Sequence, residues 1–133
     1  VTTYGPYDAT FVDTAYNDGD TFSAVVTKPD LDFGFHVFVH AQAQQKFRLN
    51  RCNAAPIGTD SGAGAAAYLK SLLDGVPLSL LSVGSYKYGD EWMAEVTLPD
   101  GRNVTDVMIA EQWAAPWDGR SAQPLPPWPR TVA

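Results

Sequence analysis

From Ala9 to Tyr16 the side chains alternate, with Thr10, Val12 and Thr14 on one side and Phe11, Asp13 and Ala15 on the other, until Asn17-Asp18-Gly19-Asp20 breaks the pattern. A period of two that runs into turn-forming residues predicts a strand entering a tight turn. Thr21 to Thr27 resumes with β-branched and aromatic residues, so the Asp18-Gly19 turn is expected to join two antiparallel strands as a hairpin. Lys28-Pro29-Asp30 marks the next break. From Phe33 to Cys52 the chain is rich in Phe and Val and lacks helix caps. It reads as a strand with Phe33, Phe35, Val37 and Val39 on one face and Phe38 and His40 on the other.

The texture changes after Asn53. Asp60-Ser61 offers a helix N-cap, Ala63, Ala66, Ala67, Leu69, Leu72 and Leu73 form an apolar stripe, and Gly75 supplies a stop. Val76 to Val83 and Trp92 to Leu98 read as two further strands, closed by Pro99-Asp100-Gly101. Asn103 is expected to cap a second helix with Asp106 three residues on, and with Val104, Val107, Met108 and Ala110 facing inward. The order β-β-β-α-β-β-α predicts a mainly β, α+β fold: a five-stranded OB-type barrel with two helices. One domain is expected over residues 1–115, followed by a Pro/Trp-rich tail over 116–133. Its five prolines and two tryptophans between Pro116 and Pro129 favour polyproline II. Trp117 and Trp128 are the expected partner-binding residues, docking either on the barrel or on a neighbouring chain.

Composition narrows the function classes. The 133 residues are 45% hydrophobic and 12% aromatic, enough for one core without staples. Cys52 stands alone, so it can form no intrachain disulfide and reads as a small buried hydrophobe. No run of eighteen apolar residues occurs, and Asp8, Asp13, Asp18 and Asp20 lie where a signal peptide would be basic and then apolar. A soluble protein with no signal peptide and no membrane partner is expected. The net charge of -6 repels a phosphate backbone at long range, although Lys46, Arg48 and Arg51 cluster locally.

Read in order, Asn17-Asp18-Gly19-Asp20-Thr21, Phe47-Arg48-Leu49 leading to Asn53-Ala54, Lys87-Tyr88-Gly89 and a closing helix resemble the staphylococcal nuclease family over about residues 10 to 115. Asp32-Phe33-Gly34-Phe35, Ile57-Gly58-Thr59 and the Pro-Trp-Pro tail resemble its branch in bacteriophages of actinobacteria. The resemblance implies metal-dependent phosphodiester cleavage, in which carboxylates hold calcium, a Glu positions water and two Arg clamp the phosphate. Calcium selects hard oxygen ligands, the water needs an acceptor within reach, and charge on phosphorus is stabilised by planar cationic donors.

Carried onto this chain, the first metal carboxylate falls on Asp20 and the first phosphate Arg on Arg48, and both are kept. The second metal carboxylate falls on Asn53, which keeps an oxygen but not the charge. The water-positioning Glu falls on Pro56, which has no acceptor, and the second Arg falls on Asp90 with Glu91 behind it. Losing a positioned base costs on the order of 10²- to 10⁴-fold, and losing one charge-stabilising donor roughly 10²- to 10³-fold. The resemblance therefore implies a nuclease fold without nuclease activity, reused as a binding or structural module such as a virion or assembly component. A protein partner or self-assembly is expected in preference to nucleic acid, with no cofactor, in the virion or host cytoplasm. The alternative is a calcium-dependent nuclease with a rearranged site, in which Glu91, Asp18 or Asp90 becomes the base.

Other readings of these residues stay open. Asp20 reads either as a turn residue or as a residual cation ligand, and Arg48 either as the partner of a nearby surface carboxylate or as a phosphate contact. Lys46 and Arg51 read as a solvated strand face. His36 and His40, four apart on a strand, would sit roughly 13 Å from each other and make a poor metal pair. Asp90 and Glu91 read as a hairpin tip. Trp92, Trp113, Tyr86 and Tyr88 read as core and rim packing before base stacking, and Gly58, Gly62 and Gly64 as allowing the helix to pack closely on the barrel.

Overall fold

Alternating apolar residues on five strands close into a barrel around the core. In a computed structural model, residues 3–14, 17–32, 38–55, 59–85 and 91–118 are described. The strands β1 (Tyr4–Val12), β2 (Thr21–Asp32), β3 (Phe38–Leu49), β5 (Leu78–Ser85) and β6 (Trp92–Thr97) pair in the order β1-β2-β3-β6-β5, and β5 returns to β1. All pairings are antiparallel except β3 with β6, where Phe47 lies opposite Trp92 and Leu49 opposite Ala94. The helix α1 (Asp60–Leu73) falls between the third and fourth barrel strands, and α2 (Val104–Ala110) follows the fifth. This is the expected OB-type barrel. A short β4 (Cys52–Ala54) and a final β7 (Ala114–Pro116) pair antiparallel as a separate two-stranded sheet.

The core follows from the period of two. Phe22, Ala24, Phe47, Leu49, Leu80, Ala94 and Val96 are buried, and Phe22 meets Phe47 with ring centroids 5.9 Å apart. Leu69 and Leu73 of α1 and Val104 and Met108 of α2 complete the cluster. Cys52 is buried in it, as its apolar reading requires.

Several boundaries differ from the sequence reading, each for a local reason. The first hairpin is wider than expected. β1 begins at Tyr4 and ends at Val12, opposite Ser23, because Asn17 and Asp18 stabilise a longer loop. Asn17 Oδ1 accepts from the Ser23 amide at 3.0 Å, and Asp18 Oδ1 accepts from the amides of Asp20 and Thr21 at 3.0 and 2.8 Å. Side chains of Asn and Asp compete with the ladder in this way. Lys28-Pro29-Asp30 does not end a strand: β2 continues to Asp32, and the register shift between Lys28 and Leu31 absorbs the proline as an irregularity.

The cap of α1 is Thr59, whose Oγ1 accepts from the Gly62 amide at 3.0 Å, one residue before the expected Asp60. On the same helix Ala65 is buried and Ala63 and Ala67 are exposed. Asn103 caps α2 as expected, accepting from the Asp106 amide at 3.1 Å. Ala110, however, is exposed and Thr105 takes the inward place, donating to the Asn50 carbonyl at 2.9 Å. Pro116 belongs to β7, so the chain beyond Ala115 starts as a paired strand rather than as polyproline II. Among the described residues no helix is long and apolar enough to cross a membrane.

Candidate functional site

Arg48 lies between Phe47 and Leu49 on β3. Successive strand residues face opposite sides, so with its two neighbours in the core Arg48 points out of the barrel. Its cross-strand partner Thr21 shares that face, just after Asp20. The face is then roofed. Asn50 and Arg51 turn the chain back, with Arg51 at a left-handed φ of 68°, and β4 follows. β7 pairs with β4, Ala54 opposite Ala114, and the Trp117 amide donates to the Arg51 carbonyl at 3.0 Å.

Asp20, Arg48, Asn53 and Trp117 meet there. Arg48 Nη1 stands 3.1 Å from Asp20 Oδ1, and Nη2 donates to Asn53 Oδ1 at 2.6 Å. The guanidinium carbon lies 5.3 Å from the centre of the Trp117 ring, in range for a cation–π contact. The second oxygen of Asp20 accepts from the Ala54 amide at 2.8 Å, and Thr21 Oγ1 donates to the first at 3.1 Å. The Asp20 carbonyl also accepts from the Leu49 amide at 2.7 Å. Asp20 and Arg48 are 3% and 7% exposed, so the ion pair is interior and not at the surface.

Burial, and after it the neighbouring Asp18 carboxylate, pushes the Asp20 carboxyl up to about 7, against the pull of Arg48 and of the Ala54 amide. Burial likewise pushes the Cys52 thiol upward. Removing one member of a buried pair leaves an uncompensated charge, which is the larger energetic hazard of such an arrangement.

The donor set does not fit a calcium ion as it stands. A cation at Asp20 would face the Arg48 guanidinium, a like charge, and the Asn53 oxygen is already committed to that guanidinium. Among the described residues no group of three His, Cys, Asp or Glu is placed to hold a metal ion. A phosphate would meet the opposite obstacle: Arg48 reaches it only after leaving Asp20 and Asn53 and displacing Trp117.

Pro56, Asp90 and Trp128, together with His36, Tyr86, Tyr88 and Gly58, lie outside the described residues. Glu91 keeps one carboxylate oxygen, Oε2, buried with no hydrogen-bond partner among the described residues. Trp113 packs on the core and stacks with Tyr68 at 6.2 Å. Lys46 is exposed on β3, but Arg51 is not a strand-face residue. Arg51 grips Glu95 with Nε and Nη2, the shortest contact being 2.7 Å, and reaches Asp106 at 3.0 Å and Asn103 at 3.3 Å. This network ties the turn before β4 to β6 and α2. Nothing in the local sequence signals it, because its partners are far along the chain.

No family model matches the chain, and no curated protein matches it.

Proposed function

We propose that this chain is a catalytically degenerate module of the staphylococcal nuclease type, acting as a binding or structural protein in a bacteriophage virion or its assembly. The observation that carries this reading is the closed state of Arg48. Its guanidinium is held by Asp20 and Asn53 and covered by Trp117, so the one cation left from the implied phosphate clamp is neutralised internally. An electrostatic catalyst needs its donors aimed at the place where charge develops; here they are aimed at the protein. The substitutions at Pro56 and Asp90 point the same way, and the acidic balance disfavours a polyanionic substrate. The sequence resemblance supplies the phage setting, and a protein surface or a second copy of the chain is the expected partner.

The test is cleavage of single-stranded DNA, double-stranded DNA and RNA by the purified chain at high concentration in calcium. Every substrate is expected to remain intact. Calcium-dependent cleavage that disappears in Arg48→Lys would overturn the reading in favour of a rearranged nuclease. Lysine retains a charge facing Asp20, and a melting curve run beside the assay separates lost chemistry from lost structure. For the setting, the protein is expected in purified particles or in a larger assembly complex. Strictly monomeric elution from lysate with no particle association would remove it.

A further inference from the structure

α1 lies beside the Val12 end of β1, where Lys70 reaches Asp13 at 2.8 Å. The Tyr4 end of β1 opens instead into a cavity of about 420 Å³, to which all five barrel strands contribute. That volume lies within the roughly 300–1,000 Å³ typical of small-molecule sites. Tyr4, Tyr7, Phe47 and Trp92 supply four aromatic side chains to its wall, Val26 and Leu80 line it beside them, and Gln45 and Ser82 add polar groups. None of these carries a formal charge at neutral pH.

Three features distinguish this mouth from an ordinary gap at a barrel end. Tyr4 and Trp92 are the exposed large hydrophobic residues of the described structure, 57% and 45% exposed, and both line the same cavity. Tyr4 and Tyr7 are three apart, a spacing that puts side chains on opposite faces of a regular strand. The register shift between them, where Tyr4 pairs with Ser82 and Tyr7 with Leu80, brings both to the cavity. A second shift, between Ser82 and Gly84 on the β5–β6 side, precedes the pairing of Ser85 with Trp92. Bulges re-aim side chains at the rims of barrels, and here one lies on each edge of β5.

Tyr4 and Trp92 stand on β1 and β6 with β5 between them. Tyr4 pairs with Ser82 and Trp92 with Ser85, so the two rings wall the mouth from either side of β5 and are staggered along it. On β5, Ser82 lines the cavity, and a Cβ added at the nearby Gly84 would meet nothing within 4 Å. We propose that this barrel mouth is a binding site for an uncharged aromatic small molecule, packed against Tyr4 and Trp92 with its polar edge toward Gln45 and Ser82. Neutrality follows from the absence of charge among the described lining residues, and aromatic character from the four aromatic side chains in the wall. The proposal goes beyond the reading of the Asp20–Arg48 cluster and does not rest on it.

The test titrates the purified chain with N-phenyl-1-naphthylamine, a neutral aromatic dye, followed by dye emission, with indole and n-decanol as competitors. Saturable one-to-one binding is expected, displaced by indole in preference to n-decanol. It should be about tenfold weaker in Trp92→Ala and in Tyr4→Ala. Should either variant melt, amide chemical shifts of the unaltered chain on adding indole give the same answer, with changes expected around Tyr4, Tyr7, Ser82 and Trp92. Absent saturation, equal displacement by n-decanol, shifts located elsewhere, or full binding in a folded Trp92→Ala would each overturn the proposal. So would loss of dye as protein concentration rises into a dimer, since a second copy would then be the occupant.

Discussion

Trp117 is the residue on which the closed site turns. It is 7% exposed and lies over the Arg48 guanidinium, so Trp117→Ala is expected to cost about 3–5 kcal/mol, as buried Trp truncations do. Urea unfolding would measure it. For the ion pair, Arg48→Met alone strands Asp20 and is expected to cost about 3–5 kcal/mol, whereas Arg48→Met with Asp20→Asn should cost less than the single change. A double-mutant cycle reads the difference directly. Cys52, buried with its thiol pushed upward, is expected to resist thiol reagents in the native protein and to label at the rate of unfolding, since the thiolate is the nucleophile. At this scale the sequence exposed three members of the cluster, Asp20, Arg48 and Asn53, because each sits in a short ordered motif. It did not show that they would satisfy one another, because the roof is contributed by Trp117, distant along the chain in a segment whose prolines obscure its strand character.

The elements were legible where they have period, and misread where a side chain or a close contact overrides it. Gly19 is the clearest instance. In sequence it looks like a turn glycine, yet its φ is not left-handed; a Cβ there would fall onto that of Ala65 in α1 and lie 2.8 Å from that of Ala54 in β4. Gly19 thus allows the first loop to sit between helix and strand, the close-packing role that sequence reasoning gave to Gly58, Gly62 and Gly64. Gly19→Ala is expected to destabilise by about 1–3 kcal/mol through overpacking, visible as a lower thermal midpoint. Gly75→Ala meets no neighbour within 4 Å, so its cost should come from the positive φ of 70° alone. The strand ends shifted for the same kind of reason: Asn17 and Asp18 hold a loop open, and a bulge carries β2 past Pro29. Neither has a signature in hydrophobic alternation.

For the molecule as a whole, the barrel order was readable because five strands and an intervening helix admit few closures. The small β4–β7 sheet was not, since three-residue strands carry too little pattern. The buried carboxyl gives the whole fold a pH dependence. Asp20 is raised from 3.8 to about 7, so between those values the native state holds a proton that the unfolded chain releases. Its contribution to stability is present below about pH 4 and is lost as pH rises through about 7. The thermal midpoint is therefore expected to fall from about pH 4 to about pH 7, and the fall should shrink in Asp20→Asn. An equal slope in that variant would assign the effect to other groups. The β7 roof also sets an order of events during synthesis. A nascent chain has made Asp20, Arg48 and the whole barrel before Trp117 leaves the ribosome, so the basic side chain meets water and passing anions until the last strand arrives. A stop codon just after Trp113 would make that unfinished condition permanent.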